Sequence, residues 1–323
     1  MNKRIAVVGQ GVIGLTCAAE LLEQGHSVDI FSKDPFPETN SMSAGAYWWP
    51  HKAYPQRRVS EWSRESYHQY LELKNTPESG VHFEKHYRFC IDPDDCAYVL
   101  DIVDHWERID GADYGIDCYE AFLVTLPVID VPIFMPYLKS VVQDKGGTLT
   151  TREIDAPESL FPEYDMVINC SGVGARQFVD DSRVFPIRGQ IVRASLPEGL
   201  RESTRLYRKQ DEFTLILPRS GEMVLGGTSQ EGDWDRAPRQ SDTDEIVQRC
   251  SKLVPGVADA EILGVSVGLR PGRDEVRLEV DCNSEGQAII HNYGHGGGGY
   301  TVAWGCAREV ADLADAYFTS GTN

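Results

Sequence analysis

Residues whose types and spacing could do chemistry cluster at three places. Gly9, Gly11 and Gly14 stand within Gly9-Gln10-Gly11-Val12-Ile13-Gly14, directly after the β-branched run Arg4–Val8. In that spacing the first glycine permits a tight turn and the second lets backbone approach a pyrophosphate. The third lets a helix lie close on a strand. A helix beginning near Val12 would aim its N–H groups and positive end at the phosphates. Near the far end of the chain, four consecutive glycines (296–299) follow His291-Asn292-Tyr293-Gly294-His295. Between these clusters, Arg270 offers a planar guanidinium that can fork onto a carboxylate. A buried structural arginine paired with Glu279 or Asp274 reads equally well there. The acidic ribose partner usual after the second strand is replaced by Ser32-Lys33, with Asp34 next. Lys33 would suit a 2′-phosphate instead.

These groups need elements to hold them. Residues 12–24 carry Ile13, Cys17 and Leu21 at helical spacing and end at Gly25, and Ser27–Phe31 reads as a strand. Strand, turn, helix and strand in this order make a βαβ unit. The Pro- and aromatic-rich stretch 47–55 reads as a loop or crossover, and a helix with Trp62, Tyr67 and Tyr70 follows. Within it Tyr47, Trp49 and His51 alternate, so an extended backbone would turn them to one side. Lys52, Arg57 and Arg58 read as a solvated charged loop or as cations greeting an acidic side chain. Residues 80–128 read as short mixed segments, and Met135–Gln143 as a helix closed by Gly146-Gly147. Tyr164–Cys170 reads as a buried strand ending at Ser171-Gly172. Further strand-like runs fall at Gln190–Ala194, Phe213–Leu217 and Met223–Leu225. Ala288–Tyr317 reads as strand, glycine turn and long helix. The pattern predicts a nucleotide domain assembled from discontinuous pieces, with a β-rich domain inserted.

Composition narrows the function classes. The chain has 323 residues, 31 Lys+Arg against 50 Asp+Glu, a net charge of −19, and is 41% hydrophobic. That is a globular composition with ample core and length for two domains. The acidic balance argues against nucleic acid. No apolar run approaches the roughly 18–20 residues of a membrane span. The N-terminus runs straight into a strand, so no signal peptide is expected. The C-terminal Thr319-Ser320-Gly321-Thr322-Asn323 lacks a peroxisomal Ser-Lys-Leu, which makes the cytoplasm the default. The eight cysteines (17, 90, 96, 118, 170, 250, 282, 306) show no CxxC or zinc-like spacing and read as reduced thiols. His82 and His86 lie four apart without ligand context, so no metal site is expected.

Several segments, taken in order, go further. They are Ser43-Ala44-Gly45-Ala46-Tyr47-Trp48-Trp49-Pro50, Ile168-Asn169-Cys170-Ser171-Gly172-Val173-Gly174-Ala175-Arg176 and Arg188-Gly189-Gln190-Ile191. Val224-Leu225-Gly226-Gly227 follows, then Gly268-Leu269-Arg270-Pro271 with Arg277-Leu278-Glu279, and His291-Asn292-Tyr293-Gly294-His295-Gly296-Gly297. Together they resemble the D-amino acid oxidase family of FAD enzymes in its compact bacterial form, over essentially the whole chain. The resemblance implies an α/β fold with a Rossmann-like FAD-binding domain and a mixed β-sheet substrate domain, discontinuous in sequence. On that reading residues 1–50, 133–186 and 283–323 form the FAD domain, and 51–132 and 187–282 the substrate domain.

The resemblance also implies the flavin contacts. Gly9, Gly11, Val12, Ile13 and Gly14 would hold the pyrophosphate, with Asp34 or backbone meeting the ribose. Thr39, Asn40, Ser41, Gly45, Ala46 and Tyr47 would line the ribityl and ring side, and Ile154 and Ser171 the adenosine side. Gly296, Gly297, Gly299, Tyr300 and Thr301 would close over the ring, the glycines baring backbone N–H groups to it. Arg270 would fork onto a substrate carboxylate and the Gly297 carbonyl would receive the amine, in a pocket walled by Tyr47, Trp49, His51 and Leu215. The implied reaction is hydride transfer from Cα of a D-amino acid to flavin N5, giving an imino acid and H2O2. An oxidase of a modified amino acid, imino acid or amine is the alternative. It is raised by Leu215-Ile216-Leu217-Pro218, where the family has a carboxylate-binding tyrosine in place of Leu215, leaving Tyr47 or Tyr207 to compensate. The lid around Lys209-Gln210-Asp211-Glu212 reads as short. The expected partners are an amino acid or amine and O2, and the sequence allows a homodimer.

Overall fold

The computed structural model describes residues 2–90, 97–197, 200, 203–209, 212–219, 221–283 and 285–320. In chain order the first elements are β1 (Arg4–Val8), α1 (Val12–Glu23), β2 (Ser27–Ser32), β3 (Ala46–Tyr47), α2 (Gln56–Leu73) and β4 (Val81–Cys90). Next come α3 (Ala97–Leu100), β5 (Trp106–Ile109), β6 (Glu120–Ile129), α4 (Val131–Asp144), β7 (Thr148–Thr151), β8 (Met166–Asn169) and α5 (Ala175–Phe178). Then follow β9 (Phe185–Ser195), β10 (Ser203–Lys209), β11 (Glu212–Arg219), β12 (Glu222–Gly226) and β13 (Gln230–Glu231). The last are α6 (Gln240–Leu253), β14 (Ile262–Gly272), β15 (Arg277–Cys282), β16 (Ala288–Tyr293) and α7 (Gly299–Ser320).

Two sheets result. The six-stranded sheet runs β15-β16-β8-β1-β2-β7, parallel except for the β15–β16 hairpin. Its β-branched strands Ile5–Val8 and Met166–Asn169 are buried on both faces, as central parallel strands must be. The ten-stranded sheet follows β13-β9-β12-β11-β10-β4-β6-β3, with β14 also on β9 and β5 on β6. It is mixed: β10 pairs β4 in parallel, while its other pairs are antiparallel. Helices α1, α4 and α7 cover one face of the first sheet, and a single core runs from Ile5 and Leu15 through Trp48, Phe134 and Ala307. A smaller core packs α6, through Ile246 and Cys250, on β9, β11 and β12.

The mixed two-sheet fold agrees with the sequence reading, but its boundaries shift in three places. Strand β15 (277–282) is the outer strand of the first sheet, because hairpin pairing with β16 draws it there. Helix α2, allotted to the substrate domain, packs on α7: the Tyr70 hydroxyl donates to the Tyr300 carbonyl (2.7 Å), and Trp62 Nε1 to Glu309 (2.6 Å). Tyr47, allotted to the FAD domain, pairs with Val128 of the large sheet. Residues 80–128, read as short segments, hold two ten-residue strands, β4 and β6, paired along their whole length. Their mixed polar and apolar order hid the pairing. Cys90 corrects the thiol expectation, since it is disulfide-bonded at the end of β4. Both β4 and its pairing with β6 end at this residue. Cys96, Gln210, Asp211 and the tail 321–323 lie outside the described residues. Pairing of β10 with β11 extends to Lys209 opposite Glu212.

Close contact of α2 and α7 yields a first prediction. A Cβ at Gly305 would lie 2.3 Å from the Trp62 carbonyl oxygen, and the Gly305 N–H donates to Ser66 Oγ (3.0 Å). Gly305→Ala should force the helices apart and cost about 1–3 kcal/mol in urea unfolding. An unchanged unfolding midpoint would contradict this packing.

Candidate active site

The two sheets meet along one continuous cleft. At one end lies the turn between β1 and α1. Gly9 has φ +115°, and its carbonyl oxygen would stand 1.9 Å from any Cβ at Gly14, so α1 rests on the turn itself. Gly14 therefore does packing work and does not line the cleft, whereas Gly9, Gly11, Val12 and Ile13 do. Helix α1 begins without a side-chain cap or an acid in its first turn, so its positive end is left to the cleft. The Val12 N–H is met by Ser41 Oγ (2.9 Å). Beside it Thr39 is buried, and its hydroxyl has no hydrogen-bond partner among the described residues. A buried hydroxyl of this kind calls for an acceptor or donor from outside the chain. Asp34 lines the same end, its carbonyl accepting from Gln10 Nε2 (2.6 Å), with Lys33 adjacent.

Arg270 also lines the cleft, and contacts from several segments hold it there. Strand β14 pairs with β9 so that Gly268 lies opposite Gly189 and Arg270 opposite Ile187. The guanidinium lies across Gly189, where any Cβ would fall 2.2 Å from Nη1. Nη1 donates to the Thr228 carbonyl (3.0 Å), and the Thr228 hydroxyl accepts from the Gln190 N–H (2.8 Å). Arg188, 0% exposed, holds the segment around Thr228 by bonds to Asp242 (2.6 Å), Gln230 (2.8 Å) and the Asp235 and Ala237 carbonyls. Asn40 spans to β14, donating to the Leu269 carbonyl and accepting from the Leu269 N–H, each at 2.7 Å. The carboxylates that might have claimed Arg270 are engaged elsewhere: Asp274 pairs with Arg183, and Glu279 with Arg277 (2.7 Å). Arg270 has no carboxylate partner among the described residues, and burial pulls its pKa down to about 10. A cation so placed gains most from an incoming anion.

Tyr47, Trp49 and His51 all face the cleft, as their alternation predicts, and Leu215 joins them from β11. Trp48 points the other way, is 0% exposed and donates from Nε1 to the Ser63 carbonyl (3.1 Å). Tyr207 belongs to the opposite face of β10 from Leu206, which lines the cleft, so Tyr47 is the tyrosine near Arg270. Gly296, Gly297 and Gly299 line the cleft, and two of their amides also tie its walls together. Gly296, at φ +52°, touches the Lys52 carbonyl so closely that a Cβ would sit 1.9 Å from its oxygen. The Gly296 N–H donates to the Pro271 carbonyl (2.8 Å) and the Gly297 N–H to the His51 carbonyl (2.9 Å). These amides fasten the turn to the Arg270 strand and to the aromatic segment. Below the turn, His295 Nε2 meets Asn292 Oδ1 (3.0 Å), and Asn292 Nδ2 donates to Cys17 Sγ (3.2 Å).

Asn40, Ser41, Gly45, Ala46, Ser171, Gly296, Gly297, Gly299 and Tyr300 also line the cleft. Besides Gly14, two residues expected there do not. Ile154 packs with Val8 and Phe31 beneath the sheet, where its apolar side chain belongs. Thr301 is buried in α7, its hydroxyl accepting from the Trp49 N–H (3.0 Å). Lys52, Arg57 and Arg58 turn away, to Glu231 (2.8 Å), Glu61 (3.4 Å) and Glu309 respectively. Sequence reading passed over Arg88, Phe213 and Arg236, which line the cleft. Phe213 was legible, two residues before Leu215 on one strand. Arg88 was not, because β4 was read as broken segments.

A family model described as DAO, FAD dependent oxidoreductase, matches residues 4–313. The D-amino-acid oxidase of Rubrobacter xylanophilus is 38% identical over 315 residues, 97% of this chain and 96% of that protein. The D-amino-acid oxidase of Streptomyces coelicolor is also 38% identical, over 96% of each chain. Among solved structures, glycine oxidase from Geobacillus kaustophilus superposes with a TM-score of 0.80 at 20% identity, covering 98% of this chain and 95% of that one.

Three buried histidines set an acid limit on this assembly. Burial drives His86 and His295 down to about 3 and His291 to about 4, so all three are neutral at physiological pH. Unfolded, they bind protons below about pH 6.5. Their stabilisation is therefore present above that value and lost as pH falls toward their folded pKa values. Unfolding free energy should drop by about 1 kcal/mol per histidine between pH 7.5 and 5.5, less the opposing effect of His82, which Glu84 holds raised. Urea midpoints at the two pH values, with His295→Asn beside the wild type, check this. A pH dependence undiminished in His295→Asn would contradict it.

Proposed function

Because the chain belongs to the FAD dependent oxidoreductase family, and FAD is thereby its cofactor, we propose that it oxidises D-amino acids at the Cα–N bond. The observation that carries this reading is Arg270, a guanidinium held in the cleft by the neutral Thr228 carbonyl and by no carboxylate among the described residues. The cleft fits the cofactor: the start of α1 behind the Gly9 turn, with no acid in its first turn, for a pyrophosphate, and beside it the Thr39 hydroxyl, without a hydrogen-bond partner among the described residues. What FAD supplies when bound is a two-electron acceptor that O2 reoxidises, with hydrogen peroxide as by-product.

The protein's own contribution is orientation. Arg270 grips the substrate carboxylate with two parallel N–H donors, and the planar fork fixes the direction of Cα. The Gly297 carbonyl, beside His51, receives the amine. Leu206, Leu215 and Ile191 give the cleft an apolar wall that keeps water from the reacting carbon. With Leu215 in place of a hydroxyl-bearing residue, Tyr47 is the phenol close enough to share the carboxylate with Arg270. The imino acid formed would hydrolyse to a keto acid and ammonia. We place this activity in the cytoplasm, where the bonded Cys90 would be an exception among reduced thiols.

Arg270→Met should raise KM for D-amino acids and lower kcat/KM at least about a hundredfold, the effect of about 3 kcal/mol lost at a doubly bonded charge. FAD should stay bound, since its end of the cleft is untouched. Steady-state kinetics on the flavin-loaded variant read this out. Unchanged kcat/KM would remove Arg270 from the substrate site and the reading with it.

A further inference from the structure

The cleft holds a second buried arginine. Arg88 lies on β4 and is 2% exposed, yet it lines the same cleft as Arg270. Strand register explains how it reaches there. Arg88 pairs with Leu206, Leu206 with Leu215, Leu215 with Gly226, and Gly226 with Ile191. Directly paired residues share a face, so Arg88, Leu206, Leu215 and Ile191 form one row across the sheet. That row is apolar between its ends and charged at Arg88. Arg270 reaches the same face from β14, beyond β9.

Arg88 lies over Trp49, its guanidinium carbon 3.2 Å from the ring centroid. The negative face of the indole attracts the cation, and the N–H donors of a guanidinium lie along its edge. The neighbouring His86, two residues along the same strand face, is neutral and brings no opposing charge. In a chain of net charge −19, the cleft is lined by the cations Lys33, Arg88, Arg236 and Arg270 against Asp34. Of these, Lys33 and Asp34 belong to the turn at the far end. The basic residues beside the aromatic segment, Lys52, Arg57 and Arg58, are turned to Glu231, Glu61 and Glu309.

We propose that Arg88 reads a second carboxylate, so that the preferred substrates are D-amino acids with an acidic side chain. The proposal rests on the D-amino acid reading above. In it Arg270 takes the α-carboxylate, the Leu206–Leu215 wall takes the methylene stem, and the edge of Arg88 takes the side-chain carboxylate. Trp49 keeps the guanidinium from turning away. Arg88 thus sets specificity and takes no part in removing electrons.

The test compares near-isosteric pairs on the FAD-loaded enzyme: D-aspartate with D-asparagine, and D-glutamate with D-glutamine. At least one acidic member should exceed its amide in kcat/KM by about thirtyfold, a charge-assisted contact of about 2 kcal/mol. In Arg88→Met that ratio should fall at least tenfold while the amide's kcat/KM stays within about threefold. Arg88→Lys, keeping charge without the fork, should fall between and covers the case in which the methionine variant does not fold. Equal rates within both pairs, or a preference that survives Arg88→Met, overturns the proposal. Binding separates the two readings. Malonate should perturb the flavin spectrum more strongly than acetate, and Arg88→Met should abolish the difference. Oxidation of amides alone would sink the Arg88 inference and leave the D-amino acid reading intact. Arg88-dependent malonate binding without oxidation of any D-amino acid would sink the function and leave Arg88 as a carboxylate site. Malonate binding no tighter than acetate in the wild type would remove the site.

Discussion

Three pieces of backbone in this protein lie so close to their neighbours that a Cβ cannot enter. Gly14 touches the Gly9 carbonyl, Gly296 touches the Lys52 carbonyl, and Gly189 lies under the Arg270 guanidinium. Everything about the cleft follows from these contacts. The first brings α1 down onto β1, so that the helix end faces the cofactor side. The second clamps the turn before α7 to the segment carrying Trp49 and His51. The third lets an arginine lie across a strand where any side chain would push it out. Because an overlap with backbone of an ångström or more is strongly repulsive, Gly14 and Gly296 tolerate little but glycine, while a side chain at Gly189 would displace the Arg270 guanidinium.

Around that frame the protein spends its polar groups on holding one cation still. Asn40 fastens β14 at Leu269, Thr228 accepts from Arg270, and Arg188 with Asp242 fixes the segment that carries Thr228. Next along the chain, the Pro271 carbonyl accepts from Gly296, so the arginine and the glycine turn move as one piece. A guanidinium supported by neutral carbonyls keeps its attraction for a carboxylate, whereas an adjacent Asp or Glu would have consumed it. The ion pairs of Arg183 with Asp274 and of Arg277 with Glu279 keep those acids away.

Much of this is legible in the sequence. The βαβ start, the closing strand–glycine–helix unit and the Tyr47-Trp49-His51 alternation rest on local periodicity, and local periodicity survives folding. What stayed hidden depended on distant partners. Strand β4 reads as broken because His82, Glu84, His86 and Arg88 place polar groups on a face that only the folded sheet turns toward the interior. For the same reason Arg88 escaped notice. The ties of the glycine tract were hidden too: the Gly296 and Gly297 amides are engaged by Pro271 and His51, two segments remote in sequence. Asn40 and Thr301 were assigned to the cofactor by resemblance, while their side chains bond to Leu269 and to the Trp49 N–H. The Ile154 side chain packs into the core under the sheet, a contact that also depends on distant segments.

The central claim is that a glycine-framed cleft presents Arg270 to the carboxylate of a D-amino acid beside bound FAD. Anaerobic titration of the purified protein with matched D- and L-amino acids, followed by the visible flavin absorbance, tests it most directly. The account predicts a yellow protein that bleaches with D-enantiomers and recovers on admitting oxygen, with L-enantiomers leaving the spectrum unreduced. A protein that carries flavin but is bleached equally by both enantiomers, or by neither, would contradict it.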